Sequence, residues 1–201
     1  MFALVESGSI TKFLNGNKGI TLNDLQYPRA IYTLWTEAER NAIGIYSIVY
    51  DNTNKKDERW YINTNQSYTF ANSKVTATYG SATAKAHADT TWTAQDEEDG
   101  LGTEGEVASR GLKYNLIRDV KLEAANELAK TDWYITRKAE KSTAIPSAIT
   151  THRNLVRSRQ AAMETSITNA SDTPALETLY TYTTDSDGVH SRPLAEIPTL
   201  D

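Results

Sequence analysis

The sequence contains no cysteine, which excludes disulfide bonds and thiolate metal sites. Histidine is scarce too. His87, His152 and His190 are the only three, and no two stand at the His-x-x-x-His spacing that sets a ligand pair on one helix face. No apolar run approaches the ~18 residues needed to span a bilayer, so no membrane partner is expected. Residues 1–20 lack a basic stretch followed by an apolar one, so no signal peptide is predicted. Bulky apolar side chains are in short supply. Hydrophobic residues make up 39 % of the 201, with Thr, Ala, Ser and Asn in their place. The aromatics, including Trp35, Trp60, Trp92 and Trp133, must therefore provide much of the buried area. The net charge is −5, and basic residues gather only at Arg153, Arg157 and Arg159. That balance argues against a nucleic-acid partner, whose phosphates require clustered basic surface.

The chemistry-bearing motifs are absent or weak. No Gly-x-Ser-x-Gly elbow and no Gly-x-x-x-x-Gly-Lys-Ser/Thr loop occurs. Gly100-x-Gly102-x-x-Gly105 formally matches a dinucleotide fingerprint, but it follows an acidic stretch rather than a buried strand. Asp96-Glu97-Glu98-Asp99-Gly100 offers oxygens to a hard cation without the alternating ligand spacing of a calcium loop, and reads better as a solvated acidic loop. Asp185-Ser186-Asp187-Gly188 is the same pattern on a smaller scale, common in turns that hold no metal. His152 lies near an apolar stripe and reads as a structural histidine. The expectation is a protein that is not an enzyme, with no cofactor and no metal.

What is present is patterning. Met1–Ser7 reads as a strand closed by Gly8, with a possible hairpin partner at Ser9–Phe13 and a short strand at Ile20–Leu22. Thr36-Glu37-Ala38-Glu39 is a capping box, and its helix should run to Ile43 with Gly44 as a left-handed terminator. Ile45–Tyr50 is β-branched and aromatic, hence a strand, and Glu58–Asn63 is predicted as a strand antiparallel to it. Residues 64–93 suggest one or two strands of little bulk. Residues 95–109, acidic and glycine-rich, read as a linker.

Two helical stripes follow. Leu112, Leu116, Val120, Ala124 and Leu128 recur four apart, and Ile149, Val156 and Met163 seven apart. Between them lies Thr131-Asp132-Trp133-Tyr134-Ile135-Thr136-Arg137. This predicts a helical hairpin whose connecting segment is pinned by buried aromatics. Asp132 is expected near a helix C-terminus, where it would need a cation, Arg137 or Arg153. The predicted architecture is α+β: a small antiparallel β domain with one short helix over 1–94, the linker over 95–109, the helical hairpin over 110–169 and an extended arm over 170–201. Trp133, Tyr134 and Arg137 are candidate interface anchors, since such residue types dominate hot spots, although Trp133 could equally hold the hairpin together. Arg153 and Arg157 join them from the second helix.

Leu128-x-x-Thr131-Asp132-Trp133, then Arg137, Ile145-Pro146 and Ile149-x-x-x-Arg153-x-x-x-Arg157, resembles the C-terminal module of tail fibre assembly and related tail accessory proteins of tailed bacteriophages. Tyr27-Pro28 followed by Trp35-Thr36-x-x-Glu39-Arg40-x-x-Ile43-Gly44-Ile45-Tyr46 resembles the domain such proteins often carry ahead of it. The resemblance spans about residues 27–50 and 112–160; the middle and the tail depart from it. It implies a phage protein made in the host bacterial cytoplasm and located in the virion tail. Its implied role is that of a structural or adaptor component contacting tail fibre or tail-hub subunits, in several copies within a symmetric assembly. The alternatives are a fibre-assembly chaperone absent from the mature virion, and a glycan-binding module using the β domain's aromatics.

Overall fold

A computed structural model of the chain describes residues 1–64 and 66–200, so Asp201, the end of the predicted arm, lies outside the described residues. The fold is α+β. It separates into two units, Met1–Thr83 and Ala84–Asp201. The division therefore falls ahead of the acidic stretch, not within it.

The first unit opens with β1 (Phe2–Glu6) and β2 (Ser9–Leu14), joined through Ser7 and Gly8 at φ 51° and 80°. Two successive positive φ values make the turn whose twist matches that of the flanking strands. The same turn joins β3 (Ile20–Leu22) to β4 (Leu25–Tyr27) through Asn23 and Asp24. Two short helices follow rather than one: α1 (Ile31–Leu34) and α2 (Glu37–Ala42). The capping box forms as predicted, with the Glu39 amide donating to Thr36 Oγ1 and the Thr36 amide donating to the Glu39 carboxylate. Gly44 ends that helix at φ 81°, and a Cβ there would stand 2.8 Å from the Val5 carbonyl oxygen.

Next come β5 (Ile45–Asp51), β6 (Tyr61–Ile62), β7 (Ser67–Ala71) and β8 (Lys74–Thr78), the last two joined through Asn72 and Ser73, again at positive φ. The main sheet has the order β2-β1-β5-β8-β7, antiparallel except for the β5–β8 pair. The strand predicted at Glu58–Asn63 is not the neighbour of β5. Asp57 accepts the Arg59 amide on its side chain and the Trp60 and Tyr61 amides on its carbonyl. The chain turns there, Trp60 is buried, and only Tyr61–Ile62 is extended, pairing with β9 (Thr83–Ala84). Both sheet faces carry a core. Ala3, Val5, Ile48, Val75 and Ala77 cluster on one side, and Leu4, Ile45 and Leu14 meet Ile31 and Tyr32 of α1 on the other. The two edge strands approach each other, Phe13 of β2 packing on Tyr68 of β7 at 4.6 Å.

The second unit contains the acidic stretch, which is structured rather than a linker. β10 (Thr90–Thr91) pairs with β11 (Val107–Ser109), and α3 (Ala94–Glu98) lies between them, capped by Thr93 and Asp96. The glycines of the apparent dinucleotide fingerprint have local roles here. Gly100 and Gly105 adopt positive φ, and Gly102 lies so close to the Trp92 ring that a Cβ would fall 2.2 Å from its Nε1.

Then come α4 (Leu112–Ala129), α5 (Asp132–Lys141), α6 (Ser147–Asn169) and α7 (Thr173–Tyr180), followed by a small hairpin of β12 (Thr183–Thr184) and β13 (His190–Ser191). Helices α4 and α6 pack against each other antiparallel, with Lys113 donating to the Thr168 carbonyl at one end and Arg153 reaching Thr131 at the other. The buried residues on α6 are Ile149, Arg153, Val156, Met163 and Ile167, a seven-residue repeat that keeps one seam facing α4. The predicted hairpin of stripes thus forms. Its connecting segment differs, being the ten-residue helix α5. The extended arm is not extended either. Thr173, Leu176, Leu194 and Ile197 are buried, and the Leu194 amide donates to the Leu179 carbonyl.

Candidate interaction surface

Helix α5 runs over Asp132–Lys141 and is closed by Ser142, which adopts left-handed φ 53°. Its charges suit its dipole, with Asp132 in the first turn and Lys138 and Lys141 in the last. Asp132 therefore sits at a helix N-terminus, not the C-terminus expected from the sequence, because the link is itself helical. Of the two cations expected for it, Arg153 is the one that reaches it, with Nη1 2.9 Å from Asp132 Oδ1.

No residue of α5 is buried. Trp133 is 52 % exposed and Ile135 42 %. This overturns the expectation that aromatics in the connecting segment pin the hairpin. Trp133 instead packs on its neighbour Tyr134, with ring centroids 3.8 Å apart. Arg137, one turn on, lays its guanidinium over both rings, 4.6 Å from the Trp133 centroid and 5.2 Å from that of Tyr134. The guanidinium stands over the rings, and the donors it can offer another group are those on Nη1 and Nη2. Arg137 Nε is shut off from solvent without a hydrogen-bond partner among the described residues. The three anchor candidates thus form one outward group.

Arg153 and Arg157, the candidates on α6, part company. Arg157 is exposed. Arg153 is buried, its Nη1 donating to the Leu128 carbonyl at 2.7 Å and to Thr131 Oγ1 at 2.6 Å. The Thr131 hydroxyl donates in turn to the Leu128 carbonyl at 3.0 Å. Arg153 thus closes the end of α4, satisfying carbonyl and hydroxyl groups that the helix terminus leaves over. It supports α5 from behind and is not an interface anchor.

A residue the sequence reading passed over does similar work one turn back. Glu127 has a side chain only 6 % exposed. It accepts from Lys130 Nζ and from the Leu200 amide at 2.8 Å, and its Oε1 lies 3.1 Å from His152 Nε2. These contacts, the Lys130 hydrogen bond foremost, hold its carboxyl below the ordinary value despite burial. His152 is accordingly a packed partner of Glu127, in keeping with its structural reading. The signal was available: Val120, Ala124, Glu127 and Thr131 follow a four-three-four spacing, which puts Glu127 and Thr131 on the seam.

The remaining motifs resolve locally. Asp185 Oδ1 accepts the Asp187 and Val189 amides, making a turn. His190 Nδ1 meets Thr184 Oγ1 at 2.9 Å. Among the described residues, no three His, Asp or Glu side chains converge as a metal site would require, and no helix is long and apolar enough to cross a membrane. In the first unit a hollow of about 390 Å³ lies between Leu22, Leu25, Tyr27 and Ile43, with Glu6 at its wall. Its lining offers one carboxylate and no converging acid–base pair. Compared with known proteins, the chain matches no family model, no curated protein and no solved structure.

Proposed function

We propose that this protein is a non-catalytic structural or adaptor component of a bacteriophage tail that binds tail fibre or tail-hub subunits through the face of α5 in its second unit. The observation that carries the reading is the outward stack of Trp133, Tyr134 and Arg137 on a helix that buries none of its own residues. Exposed tryptophan is costly to leave in water, and Trp, Tyr and Arg are the residue types that dominate protein contacts. The Thr131-Asp132-Trp133 sequence with Arg137 and Arg153 also carries the resemblance to tail accessory proteins, so the two lines of support meet on the same residues. Within this reading α4 and α6 are a rigid platform, and the Arg153–Asp132 pair fixes how α5 projects from it.

The test is affinity capture from phage-infected cells, paired with mass spectrometry of purified virions. The expected result is a complex with tail subunits and the presence of the chain in the particle. A complex without presence in the particle would move the role to assembly chaperone. Capture of no tail protein would reject both. A selective response on a glycan array, with no tail complex, would favour the glycan-binding alternative.

A further inference from the structure

The α5 face is not only aromatic. At about 100° per residue, Trp133, Arg137 and Lys141 line up within one quadrant, with Tyr134 and Lys138 on one flank and Glu140 on the other. None of Arg137, Lys138 and Lys141 forms an ion pair with a carboxylate among the described residues. A partly apolar stripe of three cations and one carboxylate, Glu140, therefore keeps a net positive charge on a chain whose net charge is −5.

The complementary surface lies on the same unit. Between Lys85 and Arg110 the sequence holds no Lys or Arg at all, and residues 96–106 carry six carboxylates. Among the described residues none of those six is ion-paired. Some have local tasks: Asp96 caps α3, Glu97 accepts the Glu104 amide and Asp99 accepts from Gln95. The Glu98, Glu104 and Glu106 side chains are exposed and point to no such partner in the hydrogen bonds of α3 and its loop. Apolar side chains accompany the acids, since Leu101 is 60 % exposed and Val107 41 %. Acid with aliphatic on one element and base with aromatic on another are matched in both charge and polarity.

We infer that α5 of one chain docks on the acidic α3–β11 segment, residues 96–107, of a second copy of the same chain. The Nη donors of Arg137 would take a carboxylate while the guanidinium stays over the Trp133 ring. Because the two surfaces differ, the contact is head-to-tail. Any open series keeps one free surface of each kind at its two ends, and it ends only by closing into a ring. This rests on the reading of α5 as a contact surface and goes beyond it: a second copy and a tail subunit take the same face, so a copy whose α5 the self-contact leaves free is the one that binds the tail.

The experiment is analytical ultracentrifugation of the purified full chain at low and high salt, with circular dichroism confirming that each variant is folded. Wild type should self-associate at low salt and dissociate as salt rises. The double variant R137E/K141E and the double variant E98K/E104K should each be monomeric, with association weakened by about tenfold or more. Mixed together, the two should form at least a one-to-one dimer, since the intact α5 of one meets the intact acidic segment of the other. A monomeric wild type at low salt overturns the inference, as does an R137E/K141E–E98K/E104K mixture that stays monomeric. Should R137E/K141E be misfolded, K138E with K141E takes its place in the same mixture. The measurement uses no other phage protein. Its failure alongside successful capture of tail subunits would remove the self-contact only. Failed capture beside the expected dimer would remove the tail reading only.

Discussion

Glu127 and Trp133 stand six residues apart and fall on opposite sides of the balance between folding and binding. Glu127 is enclosed by the His152 ring, the Leu200 amide and the Lys130 ammonium. Replacing it with Gln keeps the shape and removes the charge; the expected cost is about 1–3 kcal/mol, because charge-assisted hydrogen bonds become neutral ones and one acceptor is lost. The pH dependence follows from the same contacts. The folded carboxyl titrates below its ordinary value of 4.5, so its contribution to stability is complete above that value and is lost as pH falls through the lower, folded one. Thermal melts across the acid range should therefore show wild type losing stability more steeply below about pH 4.5 than Glu127→Gln; parallel curves would contradict this. Trp133→Ala has the reverse profile. It removes an exposed ring and a cation–π contact, so stability should change by less than about 1 kcal/mol. Capture of tail subunits should nonetheless fall by about tenfold or more if the ring is a contact anchor. A Trp133→Ala protein that binds normally would place the contact elsewhere.

The elements show where patterning is enough to read a fold and where it is not. The capping box at Thr36–Glu39, the Gly44 terminator and the seam of α6 are local rules with local causes, and they are present as the sequence spells them. The light strands suggested over residues 64–93 are β7 and β8, with Val75 and Ala77 alternating inward. The turn at Asn23-Asp24 is equally local, residue types that tolerate positive φ, but the β4 strand it serves has too little apolar alternation to stand out. The connecting helix α5 misleads for a different reason. A tryptophan, a tyrosine and an isoleucine in succession suggest burial, yet exposure is settled by what packs on the helix, which no local pattern records. The C-terminal segment fails likewise: prolines at 174, 193 and 198 suggest an arm, while Pro174 in fact sits in the first turn of α7, where its missing amide costs nothing. Truncation after Asn169 is therefore expected to remove buried Leu176, Leu194 and Ile197, each providing about 1.5–3 kcal/mol by burial. It also strips the Leu200 amide from Glu127. The truncated chain should melt well below the full one or fail to fold by circular dichroism. A truncated protein of unchanged stability would restore the dispensable arm.

At the scale of the whole chain, the two units have separate resources. The first buries Ala3, Ile31, Ile45 and Val75 around a five-stranded sheet, while the second buries Val156, Met163, Ile167, Leu176 and Leu194 around a pair of long helices. A unit with its own core is able to fold alone, and the second holds α3, α5 and the whole of the Arg153 and Glu127 networks. The candidate site was thus only half legible beforehand. Trp133, Tyr134 and Arg137 could be picked out as residue types, but their shared outward face depends on α5 being a helix and on Arg153 turning inward to support it. If binding resides in that face, the first unit contributes nothing to it directly. A fragment of residues 84–201 should then be helical by circular dichroism, melt cooperatively and capture the same tail subunits as the full chain, whereas residues 1–83 should fold as a β-rich unit and capture none. Capture by the first fragment instead would mean that the sheet and its approaching edge strands, rather than α5, make the contact.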